Sequence, residues 1–88
     1  MTSQSPMTNN YLATFHSQFG ALSAAKSLQG QGISADLESA PRSLSSSCGL
    51  CLRFQHESWE HIKNATELEA VYAYKIDEKD SYKLLYTT

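Results

Sequence analysis

The residues best suited to chemistry lie together between Pro41 and Phe54, in the stretch P-R-S-L-S-S-S-C-G-L-C-L-R-F. It holds both cysteines of the chain, Cys48 and Cys51, and Arg42 and Arg53 bracket them. Backbone N–H donors and nearby positive charge lower a thiol's pKa and make its thiolate a nucleophile. In that reading Cys48 is the reactive thiol and Arg42 attracts an anion, while Ser45, Ser46, Ser47 and Gly49 shape the loop around it. The competing reading makes Cys48 a small apolar residue opening a core strand, since unpaired cysteine is among the most buried residue types.

The spacing of Cys48 and Cys51 invites comparison with a redox pair, but such a motif sits at a helix N-terminus. Here Leu50, Leu52 and Phe54 alternate with Gly49, Cys51 and Arg53, which predicts a strand. If the leucines and Phe54 face the core, Cys51 and Arg53 project the other way and the two thiols do not face each other. Three residues of extended chain also separate Cα atoms by about 10 Å, beyond the roughly 7 Å a disulfide spans, unless Gly49 turns the segment. A metal site would draw on Cys48, Cys51 and His16. Structural zinc takes four ligands, so only an open or intermolecular site fits that set. No Gly-rich phosphate loop, HExxH or GxSxG motif is present, and nothing in the sequence calls for a cofactor.

The chain around this stretch is 88 residues long, enough for one small domain. Its formal net charge of -2 and scattered basic residues argue against nucleic acid as a partner. No apolar run approaches the roughly 20 residues that span a bilayer, and the N-terminus lacks the apolar core of a signal peptide. Two closely spaced cysteines are too few for a secreted disulfide scaffold, so the expectation is a cytoplasmic protein with reduced thiols.

Residues 1–10 read as a flexible polar leader. Tyr11, Ala13 and Phe15 alternate with Leu12 and Thr14, predicting a first strand. Ser17 can cap a helix over 18–29, in which Phe19, Leu22, Ala25 and Leu28 would form the apolar side and Gly30 and Gly32 the stop. Residues 33–37 predict a second strand, and residues 50–54 the third. Ser58 can cap a second, shorter helix with Trp59, Ile62, Ala65 or Thr66, and Leu68 or Glu69 on one side. Residues 71–76 are the clearest strand signal, and 81–86 can return as a hairpin after the polar turn 77–80.

Strand, helix, strand, strand, helix, strand, with right-handed crossovers, defines an α+β ferredoxin-like split βαββαβ two-layer sandwich, here with an extra C-terminal strand. The single domain is expected over 11–76, with 77–88 as a C-terminal extension.

Several features resemble the DUF3343 family of small bacterial selenium/sulfur-carrier-like proteins. They are the strand Y-L-A-T-F-H, the helix with Ala25-Lys26, Gly32-Ile33, Pro41-Arg42, the Ser45-Ser46-Ser47-Cys48-Gly49-Leu50 block, and Arg53-Phe54. The resemblance implies one reactive cysteine, Cys48, that carries sulfur or selenium as a persulfide or selenosulfide between donor and acceptor proteins. It leaves Cys51 either a resolving thiol or a buried residue. On this reading the protein is a stoichiometric relay rather than an enzyme. The alternative is a non-catalytic interaction module that pairs with itself or another protein through a sheet edge or the C-terminal strand.

Overall fold

The structure, a computed structural model, describes residues 9–75 and 81–88. The elements run β1 (Asn9–Phe15), α1 (Gln18–Gly30), β2 (Ala35–Ser39), β3 (Leu50–His56), a 3-10 turn (Trp59–Ile62), β4 (Leu68–Tyr74) and β5 (Tyr82–Thr87). The five strands form one sheet in the order β2-β3-β1-β4-β5, and every neighbouring pair is antiparallel. The first four strands stand in the ferredoxin-like order, and β5 extends the sheet beside β4. Of the expected leader 1–10, residues 1–8 lie outside the described residues, as do Ile76 and the turn 77–80, whereas Asn9 and Asn10 open β1.

The alternation in β1 and β3 sets the two faces of the sheet. Tyr11, Ala13 and Phe15 join Leu52 and Phe54 in a core that α1 covers. The Tyr11 and Phe54 rings, partners across the β1–β3 ladder, lie 5.4 Å apart. Leu12, Thr14 and Cys51 face the other way and are also fully buried. Long side chains cover them: the Arg53 guanidinium lies 4.9 Å from the Tyr74 ring centroid and bonds the Tyr82 hydroxyl on β5, so it passes over β1.

Helix α1 starts and stops where its capping residues dictate. The Gly20 N–H donates to Ser17 Oγ at 3.1 Å. At the other end Gly32 takes φ +83°, and the N–H groups of Gly32 and Ile33 return to the carbonyls of Gln29 and Leu28. That is a Schellman closure, with Ile33 and Leu28 as its buried apolar contact. Ile33 is thereby drawn into the helix stop, and β2 begins at Ala35, later than the sequence suggests.

Two expectations are corrected. The buried stripe of α1 is Gly20, Ala21, Ala24, Ala25 and Leu28, while Phe19 is 73% and Leu22 49% exposed. A spacing of three drifts about 60° per step around a helix of 3.6 residues per turn, so residues 19, 22, 25 and 28 do not share a face. The small residues instead bring α1 close to the sheet connection. A Cβ on Gly20 would sit 2.6 Å from Glu67 Cβ. The second helix is also reduced to a single 3-10 turn over Trp59–Ile62. Ser58 caps it as expected, accepting from the Glu60 N–H at 3.1 Å. Asn64 and Thr66 are poor helix formers, Glu67 takes φ 65°, and β4 starts at Leu68. The crossover still fills the same face, with Ile62 buried and Trp59 and Ala65 packed on the core.

Candidate functional site

Cys48 sits in the loop that joins β2 to β3, at the end of the sheet where β1 runs out into α1. The loop folds as two successive turns, closed at its base by the Ala40 N–H donating to the Gly49 carbonyl at 3.0 Å. In the first turn the Leu44 N–H donates to the Pro41 carbonyl, and in the second the Gly49 N–H donates to the Ser46 carbonyl. Gly49 has φ +78°, a conformation that glycine adopts without the steric cost a Cβ brings. Arg42 and Ser45 are exposed.

Ser46 and Cys48 share one acceptor. The Ser46 hydroxyl donates to the Leu50 carbonyl at 2.8 Å, and Cys48 Sγ lies 3.8 Å from both that carbonyl and Ser46 Oγ. Cys48 is half-buried at the edge of the helix-side core. Its neighbour Ser47 is exposed and turns toward the sheet, where its N–H and hydroxyl donate to the Glu69 carboxylate at 3.1 and 2.7 Å. This contact between residues 22 apart in sequence brings Glu69 into the site.

Glu69 owes its position to an irregularity in β4. Thr14 pairs with Ala70 and Phe15 with Leu68, so Glu69 is the extra residue of a β-bulge. Bulges re-aim a side chain and bend the strand. The Glu69 carbonyl accepts from the Thr88 N–H at 3.1 Å, and its carboxylate lies 3.9 Å from His16 Nδ1. His16 Nε2 in turn lies 3.3 Å from Thr88 Oγ1. Partial burial pushes the Glu69 carboxyl up. The Ser47 hydroxyl and amide, then His16 and Thr14, pull it further down, and the net result is below its ordinary value. No local pattern in the sequence marks Glu69 as different from the other acidic residues. The signal is the bulge, which only strand pairing reveals.

Cys51 occupies a different environment. It lies on β3 with no exposed surface, directly opposite Thr14 on β1 and Glu38 on β2, and its Sγ is 3.7 Å from the Ser39 carbonyl. Burial pushes its thiol up to about 11, with Arg53 opposing and Glu38 and Cys48 adding to the rise. Both cysteines are free. Cys48 packs on the helix-side core from the loop, and the alternation of β3 turns Cys51 to the opposite face. Arg53 is committed to Glu38, at 2.8 Å, and to Tyr74 and Tyr82, all on the Cys51 face. Among the described residues no three His, Cys, Asp or Glu side chains converge to hold a metal ion, so His16, Cys48 and Cys51 are not brought together as ligands.

The profile of the family described as "Putative Se/S carrier protein-like" matches residues 10–83, and the chain belongs to that family. No curated protein and no solved structure matches the chain. Among the described residues no helix is long and apolar enough to cross a membrane.

Proposed function

We propose that the protein carries sulfur or selenium on Cys48, between a donor protein and an acceptor. The observation that carries this reading is the contrast between its two thiols within a Se/S-carrier-like family. Cys48 is partly accessible in a loop, whereas Cys51 is sealed in the sheet and held as the neutral thiol by burial. Thiolate character and access decide which cysteine reacts; burial denies both to Cys51, and Cys48 is the thiol with access.

In the loading step the Cys48 thiolate attacks the outer sulfur of a donor persulfide. The donor's S–S bond breaks, the donor leaves as a thiolate, and Cys48 becomes the persulfide. Unloading reverses the roles: an acceptor nucleophile takes the outer sulfur and Cys48 departs as thiolate. A donor selenosulfide transfers its outer selenium by the same displacement. No net oxidant is needed in either case. Arg42 supplies positive charge near the incoming anion, Ser45 and Ser46 shape the loop, and Gly49 permits the turn that presents the thiol. Release is then the acceptor's task, because burial keeps Cys51 from acting as a resolving nucleophile at neutral pH.

Intact mass after exposure to a persulfide or selenosulfide donor tests this, with peptide mapping to locate the added atom. One chalcogen atom on Cys48, absent from a folded Cys48→Ser variant, is the expected result. A wild-type protein that gains nothing, or a variant that loads as well as the wild type, overturns it. In the first case pairing through the open edges at β2 and β5 becomes the leading reading, and association that depends on concentration is its signature.

A further inference from the structure

We infer that Glu69 latches the Cys48 loop to the end of the sheet through Ser47, and that this latch controls access to the Cys48 thiol. The loop, residues 40–49, hangs from a hairpin whose outer strand β2 is a sheet edge. The hydrogen bonds made by its Ala40, Leu44 and Gly49 N–H groups close turns within the loop itself. Ser47 is what ties it to β4, a strand separated from β3 by β1. Beyond the contacts of Ser46 and Cys48 with Leu50 and the packing of Cys48 on the core edge, Ser47 is a tie to the body of the fold whose loss lowers the cost of opening the loop.

The anchoring side is built to receive the loop. The bulge aims the Glu69 carboxylate outward, the Thr88 N–H and hydroxyl hold its carbonyl, and His16 stands 3.9 Å from the carboxylate. Ser47 offers this carboxylate an amide and a hydroxyl together, and hydrogen bonds to a charged acceptor are about twice as strong as neutral ones. Cys48 follows Ser47 directly in the chain, so the half-buried position of its Sγ against Leu50 and Ser46 depends on Ser47 staying in place. Releasing the latch swings the thiol away from the core edge and exposes it. That release regulates transfer rests on the carrier reading; the effect on access does not.

The test is alkylation of Cys48 by iodoacetamide, a neutral reagent, in the full-length wild type, Ser47→Ala, Glu69→Gln and the double variant. Rates are followed by peptide mapping across a pH series, so that the thiol's apparent pKa separates from the limiting rate of its thiolate. Loss of a charged hydrogen bond predicts a limiting Cys48 rate at least about threefold faster in each single variant. Ser47→Ala removes the hydroxyl donor but keeps the amide, and Glu69→Gln leaves a neutral acceptor, so the double variant should show less than the product of the two single effects, because both weaken one contact. Cys51 should stay slow throughout, as the mark of an intact sheet. Ser47→Ala alters only an exposed loop side chain, so it keeps the test decisive if Glu69→Gln disturbs the strand. Unchanged or slower Cys48 rates overturn the latch, as do additive effects in the double variant or acceleration of both thiols together. Donor loading of the wild type is scored separately, so failure of the carrier reading leaves this result standing.

Discussion

Arg53 on β3 and Tyr82 on β5 are joined by a 3.2 Å hydrogen bond although β1 and β4 lie between their strands. The guanidinium passes over the Tyr74 ring on the way and sits 5.9 Å from the Tyr82 ring centroid. Its other partner, Glu38, is bonded at 2.8 Å but its side chain is 47% exposed, where ion pairs contribute little. The tyrosine side should therefore dominate. Arg53→Ala is expected to lower stability by about 1–3 kcal/mol and Tyr82→Phe by about 1 kcal/mol. Glu38→Gln should cost less than about 0.5 kcal/mol. Urea unfolding of the three variants checks the order, and a Glu38→Gln loss equal to that of Arg53→Ala would reverse the assignment.

Cys51 should leave a mark on stability at alkaline pH. Burial raises the Cys51 thiol from 9.0 to about 11, so the folded protein prefers its neutral form. For a group whose folded pKa is raised, the stability is fully present below the unfolded value and is lost as pH climbs through the folded one. The window here is 9.0 to about 11, and the loss amounts to roughly 2–3 kcal/mol. Cys51→Ala removes this contribution, leaving a shallower decline in unfolding free energy over the same range. Parallel pH profiles for the variant and the wild type would show that Cys51 is not the group responsible.

Much of this arrangement was legible in the chain, and the exceptions share a cause. The alternation of Tyr11 to Phe15 and of Leu50 to Phe54 predicts the faces of the two central strands, and Ser17 and Gly32 mark the ends of α1. These are local signals, read within a few residues. The second crossover misleads because Ser58 and Trp59 look like the start of a helix that the next few residues do not sustain. The thiol loop is legible as Cys48, Ser46 and Gly49, whereas its anchor is not. Glu69 becomes part of the site through a bulge between β1 and β4, and a bulge is a property of strand pairing.

Acid should release that anchor, and the direction follows from the Glu69 carboxyl. Partial burial raises it, but Ser47, His16 and Thr14 together bring it below 4.5. A depressed folded value means that the contribution is complete above the unfolded carboxylate pKa and disappears as pH falls through the lower, folded one. His16 from the end of β1, Ser47 from the loop, Thr14 from β1 and Thr88 after β5 are the groups around it. Hydrogen exchange at the Ser47 amide should stay protected as pH falls through the upper part of the ordinary carboxylate range and lose protection lower down. Loss well above that range would mean that another group holds the loop.

The two phenylalanines near the β1–α1 junction test the corrected packing of the helix. Phe15 is fully buried on β1, at the centre of the helix-side core. Phe19, only four positions on, is 73% exposed on α1, although its size and hydrophobic character alone predict a core residue. Truncating Phe15 to alanine is expected to cost about 3–5 kcal/mol, since it empties a closely packed volume. Phe19→Ser should change stability by less than about 0.5 kcal/mol, because it removes little buried surface. Denaturation midpoints decide between the two pictures of α1. A large loss at Phe19 would restore the threefold stripe, whereas a near-neutral change leaves Ala21, Ala24, Ala25 and Leu28 as the residues that hold the helix to the sheet.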